Sequence, residues 1–240
     1  MNSTFNTQHS TFERAQARGY FITGTDTGVG KTLIACALLH ALARTGLSVV
    51  GMKPVAAGAA RGSEGLINED VTQLRAASSV KAALALVNPY CFEPAIAPHI
   101  AAMQAGVTID FSRIGEAHAQ LAAMADTVIV EGVGGFCVPL NGNEDAADLA
   151  RYLGLPVILV VGVRLGCMNH ALLTAQAIRA RGLKLAGWVA NRIDPAMPVA
   201  EENVTALAER LAAPLLGEIE FTPAPDPQRV AALLDLANLV

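Results

Sequence analysis

A glycine-rich segment between an apolar run and a long apolar helix constrains this chain more than any other feature. Residues 24–32 read GTDTGVGKT and directly follow the apolar run 19–23. A turn of this kind between strand and helix directs successive backbone N–H groups into a concave nest at the positive end of the helix dipole. Lys31 is then placed to reach terminal phosphates, and the Thr32 hydroxyl to ligate Mg²⁺. The segment predicts a polyphosphate site, with a nucleoside triphosphate as the cofactor.

The spacing inside this segment differs from that of the usual phosphate-binding loop. The usual spacing requires a glycine at position 25, where this chain has a threonine, and the first glycine here is Gly24. The alternative is an ordinary glycine-rich turn. The Gly-Lys-Thr ending, in a strand-turn-helix context, favours the phosphate-binding loop.

The composition favours elements that are covered on both sides. Of the 240 residues, 52% are hydrophobic and 16% are charged, which fits a large α/β core with a buried parallel sheet. The formal net charge of −4, with Lys and Arg dispersed, gives no electrostatic reason to expect a nucleic-acid partner. The cysteines have no paired metal-ligand spacing, which indicates a reducing compartment.

Short β-branched runs alternate with longer Ala/Leu-rich runs along the chain. Strands are predicted at residues 20–23, 48–52, 127–130, 157–161, 185–190 and 215–219, and helices at 31–44, 68–77, 110–125, 145–153, 169–181, 200–211 and 227–236. Strands separated by helices imply βαβ units with right-handed crossovers. We therefore predict an α/β, single-domain, doubly wound and mainly parallel sheet with helices on both faces, of the P-loop NTPase type.

Polarity and apolar runs suggest the domain limits and the location. Residues 1–18 are polar and lack the apolar stretch of a secretory signal, so we expect a disordered N-terminal extension before one P-loop domain over 19–240. The longest strongly apolar run, residues 156–163, is too short to cross a bilayer. The expectation is a cytoplasmic protein with no membrane partner.

Polar residues at the ends of predicted strands are the candidates for chemistry, because ligands of open α/β sheets bind at the carboxyl ends of the strands. Lys53, Glu131 and Asn191 each follow a predicted strand. For Glu131, Mg²⁺ binding is favoured over a solvated acid. Lys53 is equally well read as a surface lysine, and Asn191 as part of a turn. Asp70 opens a predicted helix, where acids are common without any ligand.

Nine stretches resemble the dethiobiotin synthetase family of biotin biosynthesis. They occur in the family's order between about residues 20 and 220, and the KPV and LGCMNH segments are specific to this family rather than to P-loops in general. The five-residue spacing from Gly24 to Gly30 is also the family's own. The matching stretches are residues 24–32, MKPVAAG at 52–58, EGLINED at 64–70, NPY at 88–90, APH at 97–99, VEGVGG at 130–135, PVILV at 156–160, LGCMNH at 165–170 and GWVAN at 187–191.

The resemblance implies a role for each matching position. Lys53 is implied to be the catalytic lysine, close to a carbamate and the transferred phosphate, and Asn191 is implied to meet the adenine. The N–H groups that open the helix after residue 166 are implied to take the substrate's distal carboxylate across a homodimer interface. The full implied set is catalytic Lys31, Lys53 and Thr27; ATP-binding Gly28, Val29, Gly30, Lys31, Thr32, Leu33, Asp70, Glu131, Gly132, Val133, Gly134, Asn191, Arg192 and Glu220; Mg²⁺-binding Thr32, Asp70 and Glu131; and substrate-binding Ala57, Gly166, Cys167, Met168 and Asn169.

The resemblance also implies a reaction. An amine of 7,8-diaminopelargonate takes up CO₂ as a carbamate, ATP phosphorylates the carbamate to a carbamic-phosphoric mixed anhydride, and the second amine closes the ring with release of phosphate. Every intermediate is anionic, so lysines and Mg²⁺ would offset the charge. No nucleophilic side chain is required, which agrees with the lack of a Ser/His/Asp or Cys/His pattern.

Three positions depart from the family pattern. Ala57 stands where many members have serine, Gly28 where some have glutamate, and Glu220 where a proline beside the adenine is frequent. Two other classes of protein are alternatives for a chain of this kind. A partitioning-type P-loop switch ATPase often has a signature lysine early in the loop, and residues 25–27 include none. An amidotransferase-linked synthetase of the cobalamin pathway needs a glutaminase domain, for which this chain has no room.

Overall fold

The computed structural model describes residues 19–62, 65–237 and 239. The expected N-terminal extension, residues 1–18, lies outside the described residues. The strands are β1 (Gly19–Gly24), β2 (Val49–Met52), β3 (Val55–Ala57), β4 (Ala60–Gly62), β5 (Gly65–Ile67), β6 (Tyr90–Phe92), β7 (Thr127–Glu131), β8 (Val157–Val163), β9 (Leu185–Arg192) and β10 (Leu215–Ile219). The helices are α1 (Lys31–Arg44), α2 (Glu69–Ala77), α3 (Leu84–Val87), α4 (Pro98–Gln104), α5 (Phe111–Met124), α6 (Ala146–Leu153), α7 (Cys167–Ala180), α8 (Ala200–Leu211) and α9 (Pro227–Val230), followed by a 3₁₀ turn (Ala231–Leu233).

Within the described residues, the central sheet has six strands in the order β10-β9-β8-β1-β7-β2. Every neighbouring pair in this sheet is parallel. Parallel neighbours require crossover connections, and the helices between the strands supply them. The predicted doubly wound α/β sheet is confirmed. Two small sheets, β3-β6 and β4-β5, lie outside it.

The sheet is covered on both faces because apolar side chains alternate along its strands. In β1, Phe21 belongs to a buried cluster with α5, α6 and α7, whereas the next residue, Ile22, belongs to a separate cluster with α1 and the C-terminal turn. Both side chains are 0% exposed. Helices on both faces are therefore confirmed, and two-sided burial explains the continuous apolar strands. Among the described residues, we find no helix with the length and apolar character that a membrane span requires.

Helix ends explain several boundaries that differ from the predicted ones. Asn68, Asp110 and Asp145 were predicted as first helical residues, but each is an N-cap whose side chain accepts hydrogen bonds from N–H groups of the first turn. At α1 the N-cap is Gly30, which has no side chain to cap with, so the first N–H groups of that helix are left for another acceptor.

Other predictions were wrong in detail, among them that of Glu131, which was predicted to follow a strand and is the last residue of β7. The helix predicted at 227–236 ends at Val230 and continues only as a 3₁₀ turn. Asn191 was predicted to follow a strand, but it lies inside β9. The short elements from β3 to α4 were not predicted, because runs of three to seven residues carry too little periodicity to be recognised.

Candidate active site

A single open cavity unites the carboxyl ends of β1, β2 and β7. Its volume is about 790 Å³, which is in the range of small-molecule sites. Eleven residues proposed from the sequence lie in its wall: Thr27, Gly28, Gly30, Lys31, Thr32, Lys53, Ala57, Asp70, Glu131, Val133 and Gly134. The structure thus brings the phosphate loop and the candidate catalytic and metal-binding side chains together.

The phosphate loop is held by its own residues and by one neighbour. Gly28 and Gly30 have φ of 74° and 91°, a region that glycine enters without steric cost. The Asp26 carboxylate accepts a hydrogen bond from the Thr27 N–H at 2.7 Å and pairs with Arg164 at 2.6 Å. Lys31 Nζ donates to the Asp26 carbonyl at 2.9 Å. The loop is therefore shaped before any anion binds.

Lys53 lies at the centre of a buried charge cluster. Its Nζ atom is 2.6 Å from Glu131 Oε1 and 2.8 Å from Asp70 Oδ2, and it donates to the Gly132 carbonyl at 3.2 Å. The Thr32 hydroxyl donates to the same Glu131 oxygen at 2.9 Å. The four side chains come from different parts of the fold and meet at one edge of the cavity. Lys53 follows β2, Glu131 ends β7, Thr32 lies in α1 and Asp70 lies in α2.

Burial and charge shift the pKa values in this cluster. Burial alone would lower the pKa of Lys53, but the Glu131 and Asp70 carboxylates raise it, so its ammonium is held charged. Burial raises the pKa of Glu131, with Asp70 adding to the rise and Lys53 opposing it. Burial would raise the pKa of Asp70, but the Lys53 charge lowers it.

Lys31 behaves differently from Lys53. Burial and then the charge of Lys53 lower the pKa of Lys31 to about 8, and the opposing effect of the Glu131, Asp70 and Asp26 carboxylates is too small to offset them. A bound polyphosphate would supply the counter-charge that Lys31 lacks. The pKa of Lys31 is thus lowered and that of Lys53 is raised, although both side chains line the same cavity.

Thr32, Asp70 and Glu131 suit a magnesium ion. Glu131 Oε2 is buried and has no hydrogen-bond partner, so this oxygen is left for another ligand. Within the described ranges, no group of three or more His, Cys, Asp and Glu side chains forms a metal cluster. Mg²⁺ does not need one, because it binds through one or two carboxylates together with waters and substrate phosphates. Two carboxylates and a hydroxyl match this donor set.

Several residues proposed from the sequence lie outside the cavity wall. Val29 is 1% exposed and packs in the core beneath the loop, and Asn191 donates its amide to the Val29 carbonyl. Arg192 pairs with Glu218 at 2.6 Å and with Glu220 at 3.3 Å, at the end of β9. Also outside the wall are Leu33, Gly132, Gly166, Cys167, Met168 and Asn169.

Some cavity residues were not proposed from the sequence. Asp26, Val138 and the stretch from Ala95 to Pro98 all line the cavity. The family-like segment at 97–99 was a signal for that stretch, although its contribution there is only an apolar wall. Arg164 carried no sequence signal, because its partnership with Asp26 spans two distant loops.

Known proteins resemble this chain over almost its full length. The AAA domain family matches residues 18–229. A protein from Aromatoleum aromaticum, named ATP-dependent dethiobiotin synthetase BioD, is 60% identical over 221 residues, which are 92% of this chain and 98% of that protein. Proteins of the same name from Nitrosospira multiformis and a Janthinobacterium species are 57% and 54% identical, over 92% and 91% of this chain and 96% and 94% of their own lengths.

Solved structures with the same fold are more distant in sequence. The MinC:MinD cell division protein complex of Aquifex aeolicus matches with a TM-score of 0.53 and 19% identity, over 86% of this chain and 82% of that one. A ParA family ATPase from Chlorobium tepidum matches with a TM-score of 0.52 and 13% identity, over 87% and 86%. These two comparisons bear on the fold alone.

Proposed function

The chain belongs to the family of ATP-dependent dethiobiotin synthetases, and from that premise we propose how the residues of its cavity act. The protein is a ligase that uses ATP to make dethiobiotin, with formation of a carbon–nitrogen bond. We propose that 7,8-diaminopelargonate and CO₂ are converted through a carbamate and a carbamic-phosphoric mixed anhydride, with release of ADP and phosphate.

The observation that carries this proposal is the buried ammonium of Lys53 in the same cavity as Lys31. Each proposed intermediate is anionic, and both lysines line the space in which the reacting groups would meet. Lys53 is 3% exposed, so its charge acts with little screening by water. A preorganised cation or hydrogen-bond donor of this kind typically contributes about 3 kcal/mol to the stabilisation of developing charge.

The phosphate loop and α1 are proposed to bind the triphosphate. Lys31 would leave the Asp26 carbonyl and turn to the terminal phosphates. The loop N–H groups over residues 28–33, including the uncapped start of α1, would donate hydrogen bonds to the remaining phosphate oxygens. Thr27 lies in the same wall and is proposed to contact the reacting phosphate. Arg192 and Glu220 remain our prediction for the adenine end of the nucleotide.

Thr32, Asp70 and Glu131 are proposed to hold Mg²⁺. The buried, unpartnered Glu131 Oε2 supports this assignment. When bound, the ion would neutralise charge on the phosphate oxygens. Glu131→Gln keeps the shape of the side chain and removes its charge. We therefore expect this variant to need a higher magnesium concentration for half-maximal activity than the wild type.

The substrate is proposed to lie between the charge cluster and an apolar wall. Ala57, Ala95, Ile96 and Pro98 supply that wall, which suits the methylene chain of 7,8-diaminopelargonate. Each of the two amines can then reach the phosphoryl end of the cavity, and no side chain needs to act as a nucleophile.

The substrate's distal carboxylate is proposed to be bound by a second copy of the chain. The segment from Gly166 to Asn169 opens α7, a helix of 14 residues, but it does not line the cavity of its own chain. Leu165 and Leu173 beside it are 91% and 56% exposed, which a homodimer interface would explain. We also propose a cytoplasmic location, where ATP is supplied.

The test of the proposed function is the release of ADP with each substrate supplied or omitted. We expect release to depend on 7,8-diaminopelargonate and bicarbonate together, with dethiobiotin formed in equal amount. Brisk hydrolysis that is indifferent to both compounds would contradict the proposal and would favour a switch ATPase.

A further inference from the structure

Asn191 is buried behind the phosphate loop instead of facing the cavity. It lies in β9 opposite Gly162 of β8 and Ile219 of β10, and it is 6% exposed. Its Nδ2 atom donates to the backbone carbonyl of Val29 at 2.9 Å. Because a carbonyl can only accept, the amide nitrogen is the end of the side chain that faces the loop.

This hydrogen bond determines the direction of a loop amide. The carbonyl of Val29 and the N–H of Gly30 belong to one planar trans peptide, so they point in opposite directions. When Asn191 holds the Val29 carbonyl towards β9, the Gly30 N–H is directed away from the sheet. Gly30 itself lines the cavity. The side chain of Asn191 therefore controls an amide that can bind phosphate without touching the phosphate.

Gly30 and Asn191 also fit each other sterically. Gly30 has φ of 91°, and a Cβ atom added there would lie 2.3 Å from Asn191 Nδ2. The close approach of the asparagine thus requires glycine at position 30 for a second reason besides its backbone conformation. The two residues are 161 positions apart in the sequence, but they pack directly against each other in the structure.

The loop is also joined to β8 by a main-chain bond from the Thr25 N–H to the Val160 carbonyl at 3.0 Å, and by two further side-chain contacts. The Gly162 N–H donates to Thr25 Oγ1 at 3.3 Å, and the Asp26–Arg164 pair has side chains that are 47% and 43% exposed. Water and salt screen an ion pair with that exposure. Of the three side-chain contacts, only the bond from Asn191 to Val29 is both short and buried.

We propose that Asn191 is a positioning residue of the phosphate loop, which holds the Val29–Gly30 peptide in the orientation that binds the polyphosphate. This inference rests on the proposed triphosphate site and deepens it. It differs from the role expected from the sequence, in which Asn191 meets the adenine base. A loop-positioning residue affects every ligand with a polyphosphate, whereas a base-contacting residue affects only ligands with a base.

The experiment compares ATP with inorganic tripolyphosphate, which has no base. Dissociation constants of both are measured by calorimetry for the wild type and for Asn191→Ala. We expect both ligands to bind about tenfold more weakly to the variant, because a buried hydrogen bond has been lost and the loop peptide is released. Weaker binding of ATP with unchanged binding of tripolyphosphate would overturn the proposal.

Two further variants test whether the lost hydrogen bond causes the weaker binding. Asn191→Asp has nearly the same shape but cannot donate to the carbonyl when ionised, so it should lose at least as much affinity for both ligands. Asn203→Ala is the matched control, because Asn203 also donates its amide to a backbone carbonyl, that of Val199, but far along the chain on α8. It should leave both affinities unchanged.

A purely structural role is excluded by the conditions of the measurement. Circular dichroism melting fixes a temperature at which every variant is fully folded, and the affinities are compared there. A merely structural residue would lower the melting temperature and leave the affinities of the folded protein and the KM for 7,8-diaminopelargonate unchanged, which would overturn the proposal. If Asn191→Ala has no such temperature, Asn191→Ser provides the same comparison. If the wild type bound neither ligand, the triphosphate site itself would be wrong.

Discussion

The ammonium of Lys53 lies 2.6 Å from a carboxylate oxygen of Glu131, and the two side chains are only 4% and 1% exposed. Strand register produces this pairing. In the sheet, β2 and β7 are parallel neighbours with Met52 opposite Val130, so the next residue on each strand is Lys53 on one and Glu131 on the other. The central contact of the site is therefore fixed by the main-chain ladder of the core.

Removal of the Lys53 charge should affect catalysis far more than nucleotide binding. We expect Lys53→Met to lower kcat by about 10²- to 10³-fold, the usual effect of losing one preorganised group that stabilises developing charge. The dissociation constant of ATP should change less than about threefold, because the loop and Lys31 hold the phosphates. Steady-state kinetics and calorimetry give the two numbers.

A surface lysine provides the control for this substitution. Lys184 is exposed beyond the end of α7, and Lys184→Met should leave both kcat and the dissociation constant of ATP unchanged. An unaltered kcat in Lys53→Met would remove Lys53 from the mechanism.

The same variant should bind a divalent metal more tightly in the absence of nucleotide. The Lys53 ammonium contacts Asp70 and Glu131, the two carboxylates proposed for Mg²⁺, so lysine and metal compete for the same oxygens. We expect Lys53→Met to bind Mn²⁺ about tenfold more tightly, as the loss of one competing positive charge near buried carboxylates predicts. Electron paramagnetic resonance measures the concentration of free Mn²⁺ in a titration, and this gives the dissociation constant for each protein.

Thermal melting offers a second measurement of this competition. Without Lys53 the Asp70 and Glu131 carboxylates repel each other, so Mn²⁺ should raise the melting temperature of Lys53→Met more than that of the wild type. Equal or weaker Mn²⁺ binding in the variant would show that the metal does not use these oxygens.

Nucleotide affinity should fall as the pH rises through about 8. Burial and the Lys53 charge lower the pKa of Lys31 to about 8, so the free protein loses this proton above that pH, whereas a bound polyphosphate favours the charged lysine. Binding then takes up a proton, and the affinity should drop by about tenfold per pH unit above pH 8. The Lys53 pKa is raised, so Lys53 stays charged across this range.

Calorimetry with ADP between pH 7 and 9.5, without metal, measures this dependence. Lys31→Arg keeps a positive charge throughout and should bind ADP with little dependence on pH. A wild-type affinity that is flat across the range would contradict a lowered pKa for Lys31.

The sequence predicted the sheet because the sheet depends on strong local signals. The strand at 215–219 and the helices at 31–44 and 200–211 have the predicted bounds. Gly30 precedes the first helix, and Pro214 separates the strand from the helix before it. Lys53 and Glu131 were each predicted at a strand end, where ligands of open α/β sheets bind, but the contact between their side chains was not predicted.

The surroundings of the loop could not be predicted in the same way. The partnerships of Asn191 with Val29 and of Arg164 with Asp26 join residues more than 130 positions apart, and a single sequence contains no signal for such contacts. Likewise the short elements from β3 to α4 are held by tertiary packing, which overrides their weak propensities.

A left-handed residue at the end of α8 offers a stabilising substitution. Ala212 caps this helix with φ of 46° and ψ of 44°, a conformation that costs an L-residue with a Cβ about 1–2 kcal/mol and that glycine adopts freely. Ala212→Gly should therefore raise the free energy of unfolding by about 0.5–1 kcal/mol, after the larger chain entropy of glycine in the unfolded state is deducted. Urea titration measures the change. Ala213→Gly, at the next position and without a positive φ, should instead lower stability, and a loss of stability in Ala212→Gly would contradict the strain at this cap.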